Sequence, residues 1–150
     1  MRIDGIRFGD KPEAKIAALS QPNGDGSCMI VVATDAPVSA RNLERIARRA
    51  LHGMARTGAS MSNGSGDYVI AFSTAYRFPY QAKGLIEIPP LIGNDHVTPF
   101  FVATMDATEE ALLNSIFMAT SIDGKNGLVE AIDLERVKEA VEERAGAKSK

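Results

Sequence analysis

Ser27 stands where a flexible small-residue run, Gly24-Asp25-Gly26, meets a continuous apolar stretch, and that junction is where chemistry can be read from residue types alone. Gly24 and Gly26 reach backbone geometries that residues with a Cβ avoid. Residues 28–32 (CMIVV) are unbroken apolar with β-branched members, which predicts a strand buried on both faces with Ser27 at its first position. If the Gly26-Ser27 bond breaks, Ser27 carries a hydroxyl nucleophile and an α-amine on one residue. A neutral serine hydroxyl needs a base, and an α-amine, which titrates at about 7.7 to 8.0 in model systems, is partly unprotonated near neutral pH. The bond is open to the Ser27 hydroxyl by an N-to-O acyl shift. The same residues equally describe an ordinary loop serine, since Gly-Ser before a strand is common.

A second serine and a carboxylate precede the next apolar run. Residues 59–66 are rich in Ser, Gly and Asn and lead through Ser65 and Asp67 into a predicted strand over residues 68–73. Two strands entering a sheet edge at the same end bring their first side chains within reach of each other, so Ser27 and Ser65 could be neighbours. Asp67 could then steady a protonated amine or orient a hydroxyl, as a third group does in catalytic triads. Turn chemistry is the plainer explanation of the same residues. Neither histidine offers more: His52 and His96 each lack a second ligand in register, so no metal site is expected and both read as structural. The single cysteine, Cys28, excludes an intramolecular disulfide and reads as small buried packing beside Ser27.

The elements that must hold these groups follow from periodicity. Residues 1–8 read as a short hairpin with Ile3, Ile6 and Phe8 around Asp4-Gly5, followed by a polar segment at 11–20 and an exposed linker at 21–26. Beyond Pro37, Ser39 is placed to cap a helix. Leu43, Ile46, Ala47, Ala50, Leu51 and Met54 give that helix one apolar face, and Gly58 is a plausible stop. Its other face carries Arg41, Arg45, Arg48 and Arg49, read as a solvated or subunit-contacting surface. Residues 76–99, broken by Pro79, Pro89-Pro90 and Gly93-Asn94, read as a loop shaping a rim or an oligomer contact. Asp106 and Glu109 have capping-box spacing, so a helix is expected to start there, with Leu112, Leu113, Ile116, Phe117 and Thr120 facing inward. Asp123-Gly124 and Asn126-Gly127 are expected to end it. A last helix is expected over 133–144 with Leu134, Val137 and Val141 on one side, and residues 145–150 should fray.

With 150 residues, 45% hydrophobic and 24% charged, the chain has the size of one domain and can bury a core. A formal net charge of −2 gives no reason to expect nucleic acid or an anionic membrane as partner. No signal-like segment is visible at Met1 and no apolar run approaches the roughly 20 residues that span a bilayer. A cytoplasmic location is the expectation.

Several ordered blocks together carry a more specific signal. Residues 27–37 (SCMIVVATDAP), 43–50 (LERIARRA), 56–58 (RTG), 62–67 (SNGSGD), 70–75 (IAFSTA) and 107–114 (ATEEALLN) resemble the DmpA-type aminopeptidases, the D-aminopeptidase and β-peptidyl aminopeptidase enzymes that mature by self-cleavage immediately before a serine. The resemblance runs from about residue 24 to 135. It implies an α/β fold, part of a four-layer α/β/β/α sandwich shared with the ornithine acetyltransferases. It also implies that residues 1–26 are the end of an α-subunit-like segment with its processing linker, and that 27–150 are the β-subunit-like catalytic domain. Gly26-Ser27 would be the autocleavage bond, Ser27 the nucleophile, and Ser65 and Asp67 its neighbours by motif match. Some relatives have Glu where Asp67 stands, a difference in reach.

The implied reaction releases an N-terminal residue from a short peptide or amide through an acyl-enzyme, with no metal or organic cofactor. Its partners would be an α-subunit-like portion, absent from this chain, which holds the family's oxyanion-hole asparagine and the groups that bind the substrate amine, and further αβ units in a homo-oligomer. Two alternatives come from other classes: an acyltransferase of the related fold, or a non-catalytic remnant serving as an interaction module. The acetyltransferases place threonine at the nucleophile, so Ser27 favours the peptidase.

Overall fold

The two apolar runs become strands that share one edge-to-edge pairing. In the computed structural model, which describes residues 2–3, 6–7, 26–81 and 83–147, β3 (Met29–Thr34) and β4 (Tyr68–Ser73) run parallel, with Met29 opposite Tyr68 and Thr34 opposite Ser73. Parallel neighbours need a crossover, and α1 (Ala40–Arg56) supplies it. Ahead of them, β1 (Arg2–Ile3) and β2 (Ile6–Arg7) form the expected antiparallel pair. Asp4-Gly5, Phe8, the polar segment and the linker up to Asp25 lie outside the described residues.

The ends of α1 agree with the sequence. Ser39, in extended backbone, accepts a hydrogen bond from the Asn42 N–H at 3.3 Å, and Gly58, with φ of 95°, takes the left-handed turn that a side chain disfavours. Ile46, Ala47, Ala50 and Met54 form the buried face. Ile46 joins Ala36, Val38, Val97 and Phe101 in the core, with Val32, Leu43, Ile92 and Phe100 packed around it. Fully burying a side chain such as Ile46 or Val38 is worth roughly 1.5–3 kcal/mol.

The next helix, α2, spans Thr98–Phe117 and starts eight residues before the expected capping box. Pro99 lies in its first turn, where the missing N–H has no intrahelical acceptor to lose. Asp106 and Glu109 therefore stand within the helix, and both pair with Arg56 of α1. The buried face is also different from the expected one. Phe101, Thr104 and Thr108 are its buried members, whereas Thr120 lies beyond the helix and is exposed. Thr104 and Thr108 satisfy their hydroxyls by donating to the carbonyls of Phe100 and Thr104, each at 2.7 Å. Their small side chains and Gly53 let α1 and α2 approach closely.

The Asp123-Gly124 and Asn126-Gly127 pairs do not end α2, whose last residue is Phe117. They shape an antiparallel hairpin of β5 (Ile122–Gly124) and β6 (Gly127–Val129), with Gly127 at φ of 105°. The last helix, α3, spans Leu134–Ala147, so it continues through residues expected to fray, and the Asp133 carboxylate accepts from the Arg136 N–H at 3.1 Å at its start.

Two surface expectations change as well. The β3 run is not buried on both faces: Ile30 and Val32 turn to the helix side, while Met29, Val31, Tyr68, Ile70 and Phe72 are exposed, and no described element covers them. A continuous apolar run specifies two apolar faces; the described residues cover one. The arginine face is only partly solvated. Arg45 and Arg49 stack over the Phe101 ring at 4.9 and 4.5 Å from its centroid, and Arg45 also donates to Asn42 and Asn94. Among the described residues, 76–81 and 83–97 form an irregular segment with one 3₁₀ turn at Asn94–His96, and the expected loop ends two residues early because Thr98 and Pro99 open α2. Its far end belongs to the core through Val97, and the Ile92 N–H donates to the Pro37 carbonyl at 2.8 Å.

Candidate active site

Parallel pairing of β3 and β4 puts both strand starts at one sheet edge, and this juxtaposition builds the site. The Tyr68 N–H donates to the Cys28 carbonyl at 3.0 Å, extending the ladder one step before Met29. The Cys28 N–H in turn donates to Asp67 Oδ1 at 2.9 Å. That charge-assisted bond locks the two strand entrances together, at about 1.5–3 kcal/mol for a hydrogen bond to a charged group. Ser27 itself is exposed just ahead of β3.

Ser65 lies between the carboxylate and the linker backbone. Its Oγ is 2.8 Å from Asp67 Oδ2 and 2.5 Å from the Gly26 carbonyl oxygen. A hydroxyl has one proton to donate, so it serves one of these two acceptors at a time. Ser27 Oγ accepts from the Gly66 N–H at 3.1 Å. Among the described residues no side-chain acceptor is seen for the Ser27 proton, and the Asp67 oxygens accept from the Cys28 N–H and face the Ser65 hydroxyl. Proton removal from Ser27 is thus not assigned to Asp67.

Sequence reasoning named Ser27, Ser65, Asp67 and Gly26, and all four meet at this edge. It missed the two backbone donors, the N–H groups of Cys28 and Gly66, which periodicity cannot reveal because they depend on strand register. It also missed Met61, whose φ of 49° makes it the one non-glycine residue with positive φ among the described residues. Met61 lines, with Gly26, Ser27, Met54 and Leu112, a cavity of about 360 Å³ at this edge. The histidines stay apart from this cavity: exposed His52 places Nδ1 3.1 Å from the Arg48 carbonyl, and His96 lies in the 3₁₀ turn. No group of three or more His, Cys, Asp or Glu side chains suited to a metal occurs among the described residues.

Arg56 closes the far end of α1 against α2. Its hydrogen bond to Asp106 foremost, and then Glu109, raises its guanidinium above an already high value, so it stays charged at any working pH. As an exposed network it holds geometry more than it adds stability.

The chain belongs to peptidase family S58, whose sequence model matches residues 1–130. A beta-peptidyl aminopeptidase, BapA, of Sphingosinicella microcystinivorans is 44% identical over 104 residues, which is 69% of this chain and 26% of that protein. The crystal structure of the PH0078 protein from Pyrococcus horikoshii OT3 superposes with a TM-score of 0.72 at 41% identity, covering 77% of this chain and 33% of that one. The L-aminopeptidase D-Ala-esterase/amidase of Ochrobactrum anthropi, a prototype for the serine aminopeptidases and a variant of the Ntn hydrolase fold, gives the same TM-score at 34% identity and the same two coverages. The DmpA-type resemblance and the α/β fold are therefore as the sequence implied. The chain spans about a quarter to a third of the length of these relatives.

Proposed function

We propose that this chain is the β-subunit part of an N-terminal-nucleophile serine aminopeptidase that matures at Gly26-Ser27 and then uses Ser27 to release N-terminal residues from short peptides or amides. One observation carries the reading: the Ser65 hydroxyl is 2.5 Å from the Gly26 carbonyl oxygen while the Gly66 N–H holds Ser27 Oγ at 3.1 Å, on the two sides of one peptide bond.

In maturation, Ser27 Oγ attacks the Gly26 carbonyl carbon, and the Ser65 hydroxyl donates to the oxygen as it gains negative charge. The C–N bond then breaks and the Ser27 nitrogen takes the proton that Oγ gave up. The product is an ester of the Gly26 acyl group on Ser27 Oγ, which water hydrolyses to a Gly26 carboxylate and a free Ser27. In turnover the new amine accepts the Ser27 hydroxyl proton, Oγ attacks the substrate carbonyl, and the proton passes to the departing amine. Water then attacks the acyl-enzyme and restores Ser27. Asp67 keeps Ser65 and the Cys28 N–H in place and balances the amine when it is protonated.

Preorganised oxyanion donors are worth around 10²- to 10³-fold in rate. The proposal assigns further donors and the substrate-amine site to an α-type portion, the counterpart of what the relatives have beyond the span matched here, and assembles αβ units into an oligomer. Serine at position 27 favours hydrolysis over acyl transfer, because the resembling acetyltransferases use threonine.

The test is release of p-nitroaniline from an aminoacyl p-nitroanilide by the chain assembled with an α-type portion. Ser27→Ala is expected to abolish turnover, and Ser27→Cys to change its rate because a thiol is a different nucleophile. Wild-type turnover by Ser27→Ala would place the nucleophile elsewhere.

A further inference from the structure

Two helices of this chain carry the same charge pattern with every sign reversed. On α1 the pattern is Arg41, Glu44, Arg45, Arg48 and Arg49; on α3 it is Glu135, Lys138, Glu139, Glu142 and Glu143, at identical offsets. Positions i, i+4 and i+8 lie on one side of a helix and rise about 12 Å along it, so Arg41, Arg45 and Arg49 match Glu135, Glu139 and Glu143 in length and step. The apolar positions keep common offsets too. Leu43, Ile46 and Ala47 are buried or half-buried on α1, and Val137, Ala140 and Val141 are half-buried on α3, while all four α3 glutamates are exposed.

Neither stripe is neutralised within the chain. Among the described residues the ion pairs join Arg48 to Glu44 and Arg56 to Asp106 and Glu109, and none involves Arg41, Arg45, Arg49 or an α3 glutamate. A charged helix face is commonly no more than solvated, but this arginine face is held in place. Arg45 and Arg49 stack on the Phe101 ring, and Arg45 donates to the side-chain oxygens of Asn42 and Asn94 at 3.0 and 2.6 Å. Those partners are neutral, so they fix the guanidinium and leave its charge uncompensated. A long side chain ordered in advance loses less entropy when it later meets a carboxylate.

We propose that the arginine stripe of α1 is a docking surface for α3 of a second copy of this chain, in a two-fold arrangement in which each copy supplies one α1 and one α3. The inference rests on the preceding reading only for the existence of an oligomer, to which it gives a surface. A closed two-fold pair makes every contact twice, so a chain that carries both stripes satisfies both at once. Charge complementarity chiefly sets which surfaces meet and in what register. Apolar area adds affinity, and the β5–β6 hairpin that leads into α3 carries exposed Ile122, Leu128 and Val129.

The test is sedimentation velocity of the full chain carrying Val31→Lys and Ile70→Lys, which suppress association through the open sheet face. Onto this parent, Arg41→Glu with Arg49→Glu turns the α1 stripe toward the acidic sign of α3, and Glu139→Arg with Glu143→Arg turns α3 toward the basic sign of α1. Each variant alone is expected to self-associate about 10- to 100-fold more weakly than the parent, and an equimolar mixture of the two to regain the parental association, because each then offers the charge that the other lacks. The parent itself is expected to dissociate as salt rises from about 50 to 500 mM. The α3 variant changes only exposed positions, so it decides the matter alone if loss of stacking on Phe101 unfolds the α1 variant, which circular dichroism reports. Association that neither reversal weakens, or a mixture no tighter than its components, would overturn the proposal and leave an oligomer of another geometry. A parent that stays monomeric would overturn the proposal and the oligomer together.

Discussion

The Ser65 hydroxyl has two acceptors and one proton, and its allegiance decides what it does. Donated to the Gly26 carbonyl, the proton makes that carbon electrophilic; donated to Asp67, it leaves the carbonyl unassisted. Ser65→Ala is expected to slow cleavage at Gly26-Ser27 by about 10²- to 10³-fold, the usual worth of one oxyanion donor, while the thermal midpoint moves little because the Ser65 bond to Gly26 is solvent-exposed. A time course by gel or mass spectrometry measures the first, and a melting curve the second. Asp67→Ala acts through both chemistry and structure. It strands the half-buried Cys28 N–H, so a loss of about 1–3 kcal/mol is expected in urea unfolding, together with slower turnover. An unchanged denaturation midpoint would show that this bond does not tie the strand starts together. The four residues around this bond were legible from residue type and motif. The N–H groups of Cys28 and Gly66 were not, since a backbone donor has no letter in the sequence and acquires its partner only through register.

At the scale of elements, the close approach of α1 and α2 rests on Gly53. A Cβ there would overlap the Met105 carbonyl oxygen and stand 2.9 Å from Thr108 Cβ, and backbone cannot swing aside as a flexible side chain does. Gly53→Ala is expected to cost about 1–3 kcal/mol as an overpacked contact, lowering the thermal midpoint; a gain from the better helix propensity of alanine would show that the helices separate freely. The same pair of helices marks where sequence reading succeeded and failed. Ser39 and Gly58 bounded α1 because capping and left-handed turns are local chemistry. Pro99 was read as part of a loop when it occupies the first turn of α2, and Asp106 with Glu109 was read as a cap when those carboxylates answer Arg56 on the neighbouring helix. Spacing within a segment cannot tell a cap from a tertiary ion pair. Asn126-Gly127 suffered a similar ambiguity, because a turn former ends one element and starts a hairpin with equal ease.

At the scale of the whole molecule, the uncovered face of β3 and β4 is the dominant feature. Val31, Tyr68 and Ile70 are each about two-thirds exposed, an apolar surface of a kind that monomeric proteins seldom leave open. The chain on its own is expected to associate with concentration in sedimentation velocity, and Val31→Lys with Ile70→Lys to reduce that association while leaving circular dichroism unchanged. A wild-type monomer that binds no apolar dye would contradict this. Among the described residues no helix is long and apolar enough to cross a membrane. The relatives, three to four times as long as the matched span, make an α-type portion the proposed cover. The central claim, that Ser27 attacks the carbonyl of Gly26 and is thereby released as the nucleophile, is tested most directly by the intact mass of the chain produced together with such a portion. A polypeptide beginning at Ser27, and an uncut one when Ser27→Ala is introduced, is the expected result. Cutting at the same bond in Ser27→Ala, or an intact bond in the assembled wild type, would contradict it.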